Sequence, residues 1–116
     1  MGCLVNGDMS QDQWELQKYV TEAGKCPFDE WFDALDSQTQ TRIAVRLNRL
    51  RLGNFGDSKG IGEGVYELRF FFGPGYRVYY SLAGRRVVLL LVGGSKKRQN
   101  KDIKTAQELW TAYQED

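Results

Sequence analysis

Cationic residues recur through residues 66–97, YELRFFFGPGYRVYYSLAGRRVVLLLVGGSKK, in a spacing that places them together on extended backbone. At strand period two, Tyr66, Leu68, Phe70 and Phe72 share one face, and Glu67, Arg69 and Phe71 share the other. After Gly73-Pro74-Gly75, Tyr76, Val78, Tyr80 and Leu82 fall on one face with Arg77, Tyr79 and Ser81 opposite. Strands of this kind carry a hydrophobic underside and an upper face of Glu67, Arg69, Arg77 and Tyr79, with Lys96 and Lys97 following the last strand. Guanidinium groups stay ionised and present a planar fork that grips phosphate through two N–H groups at once. The surface therefore suits a polyanion.

Residue types elsewhere in the chain exclude several other chemistries. The chain has no histidine, which excludes Ser-His-Asp and Cys-His nucleophiles, histidine metal centres and histidine acid–base pairs. Its two cysteines, Cys3 and Cys26, are too few and too far apart for a zinc site and read as reduced thiols. Residues 53–64, GNFGDSKGIGEG, are glycine-rich but hold neither a dinucleotide fingerprint nor a Walker lysine followed by Ser or Thr. No cofactor is implied. Any proton transfer falls to Glu, Asp, Lys, Tyr or the substrate itself.

At 116 residues the chain has the length of one domain. No apolar run approaches the roughly 20 residues that span a bilayer, so a cytosolic protein with no membrane partner is expected. The net charge of +1 conceals an asymmetry: residues 1–57 carry six Lys and Arg against nine Asp and Glu, whereas residues 58–116 carry ten against six. The positive half is the one with the arginine strands, as a phosphate-bearing partner would require. Residues 1–10 are expected to be a disordered extension, with Met9 as an alternative start, and residues 11–116 a single domain.

Hydrophobic periodicity supplies the elements that position these groups. Residues 12–20 alternate as a half-exposed strand, with Trp14, Leu16, Lys18 and Val20 against Gln13, Glu15, Gln17 and Tyr19. Pro27 suits the first position of a helix on which Phe28, Trp31, Phe32 and Leu35 follow at helical spacing. Asp36 or Ser37 caps a second helix with the stripe Ile43, Leu47 and Leu50, Ala44 beside it, and Gly53 at its end. Its Arg42, Arg46 and Arg49 are either a solvated face or a contact for RNA or an acidic peptide. An edge strand carrying Lys59 leads into strands at about 65–72, 76–83 and 86–92, the last apolar throughout and hence covered on both faces. Gly93-Gly94 is expected to break that strand and release a basic loop, Ser95-Lys96-Lys97-Arg98-Gln99. A final helix from about Asn100 buries Ile103, Ala106, Leu109, Trp110 and Tyr113. The expected fold is α+β, in the order β-α-α-β-β-β-β-α, with a small mainly antiparallel sheet packed by a helical hairpin and a C-terminal helix.

Gly53-Asn54, Gly56-Asp57, Lys59, Glu67-Leu68-Arg69, Gly73-Pro74-Gly75-Tyr76-Arg77-Val78-Tyr79, Gly93-Gly94-Ser95-Lys96-Lys97, Gln99 and Asp102-Ile103 occur in this order and spacing. The pattern, over about residues 12–113, resembles the HigB-like addiction-module killer proteins of the RelE/ParE toxin superfamily. The resemblance implies a toxin of a type II toxin–antitoxin pair, partnered by an antitoxin of helix-turn-helix type and reaching operator DNA only through it. RelE-like and HigB-like members cleave mRNA on the ribosome without a metal, and ParE-like members inhibit DNA gyrase, so both readings stand at this point. A catalytically damaged member kept as a repressor component is a third.

For a nuclease, the resemblance implies that Arg69 and Arg77 hold the transition-state phosphate and that Lys96 or Lys97 acts as general acid or further clamp. Lys59, Glu67, Tyr79 and Arg98 are the expected RNA contacts. Lys59 would hold a backbone phosphate or be an exposed edge lysine; Tyr79 would stack on a base or pack across strands. Glu67 would be a base or pair with Arg69 or Arg77. Two positions depart from RelE: Glu67 stands where RelE has a lysine, and Ile103 where it has a tyrosine.

Overall fold

The computed structural model describes residues 13–115, so the extension expected at residues 1–10, with Cys3 and Met9, lies outside the described residues. Alternation at the start of the chain gives strand β1, Glu15–Lys18, shorter than the expected run. Val20 lies beyond its end and is exposed, because the chain turns away toward Gly24 after Tyr19. Pro27 opens helix α1, Pro27–Phe32, whose six residues place Leu35 after the helix. Helix α2, Ser37–Arg51, is capped by Asp36, whose carboxylate accepts from the Thr39 backbone N–H at 3.4 Å and from the Thr39 hydroxyl at 2.6 Å. The Thr39 hydroxyl is the main reason that the Asp36 carboxyl is held below its ordinary pKa. Ile43, Leu47 and Leu50 form its buried stripe, while Ala44, expected beside them, is exposed.

Strands β2, Ser58–Gly62, β3, Val65–Arg69, β4, Tyr76–Ala83, and β5, Val87–Ser95, follow, and a single 3-10 turn at Lys96–Arg98 leads into helix α3, Gln99–Glu115. The five strands lie in the order β1-β5-β4-β3-β2. All pairings are antiparallel except that of β1 with β5, which is parallel and needs the whole intervening chain as its crossover.

Both faces of this α+β sheet are covered. The hairpin of α1 and α2 packs on Leu68, Phe70, Val78, Tyr80, Val88 and Leu90. Helix α3 packs Ala106 and Trp110 against Val65, Tyr79, Leu89 and Leu91 on the other face. The period-two reading thus separates the two sets of residues correctly, but the face bearing Arg69 and Arg77 is not an open surface. Its Tyr79 end lies under α3.

Gly93 and Gly94 do not break β5; they remain inside it. A methyl at Gly93 would enter the Trp31 ring on one face, and a methyl at Gly94 would enter the Asp102 carboxylate on the other. The glycines are there for close approach. Gly93→Ala is accordingly expected to lower unfolding free energy by about 1–3 kcal/mol through overpacking, measured by urea denaturation.

Candidate active site

Antiparallel register sets Arg69 directly opposite Arg77, and Glu67 opposite Tyr79. All four side chains share the α3 face, where β5 contributes Gly94 beside Arg77. Glu67 is fully buried at the centre of a polar cluster. Its Oε2 accepts from the Tyr79 hydroxyl at 3.0 Å and from the Gln99 side-chain amide at 2.8 Å, and lies 3.4 Å from Arg77 Nε. The Arg77 contact is a charge pairing rather than a hydrogen bond, since its Nε has no partner of adequate geometry. Arg77 is fixed instead by Nη1 donating to the Gly75 carbonyl at 3.0 Å. Arg69 lies 5.6 Å from the centre of the exposed Phe71 ring, and its Nε is likewise buried without a hydrogen-bond partner.

The basic turn reaches the same place through the β3–β4 loop. The Lys96 backbone N–H donates to the Gly75 carbonyl at 2.9 Å. A Cβ at Gly75 would meet Lys96 Cβ at 3.3 Å and Arg77 Nη1 at 3.4 Å, so the missing side chain lets these two cationic residues close on each other. Lys97 and Arg98 are exposed on the same turn. Arg69 and Arg77 thus face each other across β3 and β4, and Lys96 packs against the β3–β4 loop beside Arg77; Glu67 is already engaged, and Asp102, over Gly94, is a second carboxylate at this end of the sheet. A negatively charged ligand would gain charge-assisted hydrogen bonds from the guanidinium groups there.

The remaining expected contacts separate into two groups. Lys59 is exposed on the edge strand β2, opposite Glu67 and at the far end of the same row. For Tyr79 and Glu67 the structure agrees with the packing and ion-pair alternatives. Tyr79 is fully buried under α3 and has no ring face to offer a base, and Glu67 faces protein donors rather than solvent. Burial, with the Glu67 charge second, raises the Tyr79 pKa and keeps its hydroxyl a donor to Glu67. The Arg42, Arg46 and Arg49 stripe does not join the site: Arg42 lies 3.8 Å from the centre of Phe72 and Arg46 5.1 Å from that of Phe70, both aromatics of the hairpin face. Arg46 also pairs with Asp57 at 3.7 Å. Among the described residues no three His, Cys, Asp or Glu side chains are grouped to hold a metal ion, and no helix is long and apolar enough to cross a membrane.

Sequence reasoning gave no role to Gln99 and Asp102, which the structure places against Glu67 and Gly94. Both lie on the inward face of α3 ahead of Ala106, and a carboxylate on a buried helical stripe was the signal available. Asp102 is buried over Gly94, and its Oδ2 has no partner. Burial raises its pKa, opposed by the charges of Arg98 and Lys101. A carboxyl with a raised folded-state pKa binds more protons folded than unfolded, so it costs stability as pH rises from its ordinary value through the raised one. Asp102→Asn is expected to be more stable than the parent above that window and to lose the advantage below it, as urea denaturation across pH would show.

The family model described as phage derived protein Gp49-like (DUF891) matches residues 30–111, which include every site residue named above. An uncharacterized protein of Haemophilus influenzae is 45% identical over 83 residues, covering 71% of this chain and 84% of that protein.

Proposed function

The chain belongs to the phage-derived Gp49-like family, a RelE-like family related to toxin–antitoxin modules, and from that premise we propose that it is a HigB-like, ribosome-dependent mRNA endonuclease that works without a metal. A toxin-type protein implies an antitoxin as its partner. The observation that carries this reading is the cross-strand pairing of Arg69 with Arg77, beside a β3–β4 loop whose Gly75 carbonyl holds both the Arg77 guanidinium and the Lys96 backbone.

In the proposed reaction the 2′-oxygen attacks the adjacent phosphorus as its proton leaves. The bond from phosphorus to the 5′-oxygen breaks, and that oxygen takes up a proton. Negative charge grows on the non-bridging oxygens, where the Arg69 and Arg77 guanidinium groups would sit as fixed donors. Lys96, with Lys97 behind it on the turn, would supply the leaving oxygen with a proton or a countercharge. Holding the RNA in line for attack provides much of the remaining acceleration. The ribosome is expected to help hold it.

The engagement of Glu67 and the burial of Tyr79 favour a second reading, in which the same basic face binds without chemistry and inhibits DNA gyrase. Purified protein incubated with translating ribosomes, with naked mRNA, and with gyrase and supercoiled DNA separates the two. Cleavage confined to ribosome-bound mRNA supports the nuclease, and gyrase-dependent DNA breaks with intact mRNA would replace it.

A further inference from the structure

Next to the arginine pair lies a cleft of about 550 Å³ that the proposed chemistry does not use. Its floor is residues 93–95 of β5; among the described residues, β1 pairs with β5 only as far as Leu90. Trp31 and Tyr76, partly exposed and packed edge to face with ring centroids 6.3 Å apart, supply aromatic surface, and Pro74 adds an apolar flank. Asp102 lines the cleft at its α3 side, its Oδ2 packed over the cleft-lining Gly94 without a hydrogen-bond partner. Glu30 and Arg98 complete the charged lining.

This lining is selective. Two carboxylates against one guanidinium repel a phosphate or an acidic peptide. Flat apolar surface with one buried hydrogen-bond acceptor suits a neutral aromatic heterocycle that carries N–H donors. The cleft also adjoins the phosphate region: Pro74 and Tyr76 flank Gly75, whose carbonyl holds both Arg77 and the Lys96 backbone, and Ser95 directly precedes Lys96. Trp31 and Tyr76 lie on the hairpin face and Arg77 on the other, so a nucleotide with its phosphate at Arg77 would enter the cleft around the edge of β5 that β1 leaves uncovered beyond Leu90.

We infer that the cleft between α1 and the start of α3 is a nucleobase subsite, in which Asp102 accepts hydrogen bonds from the amino or imino edge of the base adjoining the bound phosphate. The inference rests on the nuclease reading for its substrate, and it names a preference that the reading does not. Guanine, adenine and cytosine present amino groups to such an acceptor; uracil offers one N–H set between two carbonyls. Uridine is the disfavoured base.

The test is a titration of the whole protein with the four nucleoside 3′-monophosphates, followed through the indole N–H resonance of Trp31. The guanosine, adenosine and cytidine compounds are expected to move that resonance at concentrations about 10-fold below uridine's, the size of one lost base-edge contact. Asp102→Asn, checked for native fold by circular dichroism, is expected to erase the difference while inorganic phosphate still binds. A Trp31 resonance that stays fixed with all four, or moves equally with all four, overturns the subsite, as does an Asp102→Asn variant that keeps the discrimination. So does a Trp31 signal that responds to the antitoxin and to no nucleotide. Because this readout needs no cleavage, failure of the nuclease reading appears separately, as intact mRNA alongside a measured base preference.

Discussion

Replacing Arg77 by alanine is expected to slow mRNA cleavage by about 10²–10³-fold, the loss that follows removal of one preorganised donor to a developing oxyanion. Arg77 is suited to that role because the Gly75 carbonyl fixes its Nη1 and the Glu67 charge lies against its Nε, so the guanidinium is held in place before a ligand arrives. The substitution removes a neighbour of Glu67 but leaves the Tyr79 and Gln99 donors in place, so the fold is expected to survive. Arg77→Lys keeps the charge and loses the fork, and should recover only part of the rate. Single-turnover cleavage on programmed ribosomes, beside antitoxin binding by calorimetry, reads the effect. A parent-like rate for Arg77→Ala removes this residue from the site.

The second large effect concerns stability. Glu67→Ala leaves Arg77, the Tyr79 hydroxyl and the Gln99 amide facing a cavity in a buried cluster. Stranding a buried charge in this way costs about 3–5 kcal/mol. Glu67→Gln retains an acceptor oxygen and should lose distinctly less. The pair of variants also separates the two roles open to Glu67. If Glu67 organises the arginine, Glu67→Gln lowers stability and activity together, through a displaced Arg77. A stable Glu67→Gln variant with cleavage abolished would make Glu67 the base and contradict the structural role assigned from its burial.

Most of the fold was legible because local patterns agree with tertiary packing. Pro27 at a helix start, Asp36 as a cap, Ile43, Leu47 and Leu50 on one stripe, and the alternation through Tyr76–Ala83 each specify an element without knowledge of the rest. The parallel pairing of β1 with β5 was not legible, since nothing local in Glu15–Lys18 selects a partner as distant in the chain as Val87–Leu90. The faces of β3 and β4 were separable by period two, but period two does not say what covers a face. Tyr79 and Glu67 therefore read as a surface pair, and only the position of α3 shows them to be its buried support. Gly93-Gly94 misled in the opposite sense: glycine in a strand pattern suggests a break when the cause, Trp31 on one side and Asp102 on the other, is not visible locally. At the site, residue type and spacing put Arg69 and Arg77 on one face, and only the resemblance joined Lys96 or Lys97 to them. Neither gave a role to Asp102, because its significance lies in being buried without a partner.

The most direct test of the nuclease account is to map the ends of mRNA recovered from ribosomes translating in the presence of the purified protein and of its Arg77→Ala variant. Attack by the 2′-oxygen predicts new ends in phase with codons, a 5′-hydroxyl on one fragment and a 2′,3′-cyclic phosphate on the other, at levels that fall about 10²–10³-fold with the variant. Ends that are absent, out of phase, or equally abundant with Arg77→Ala would contradict it.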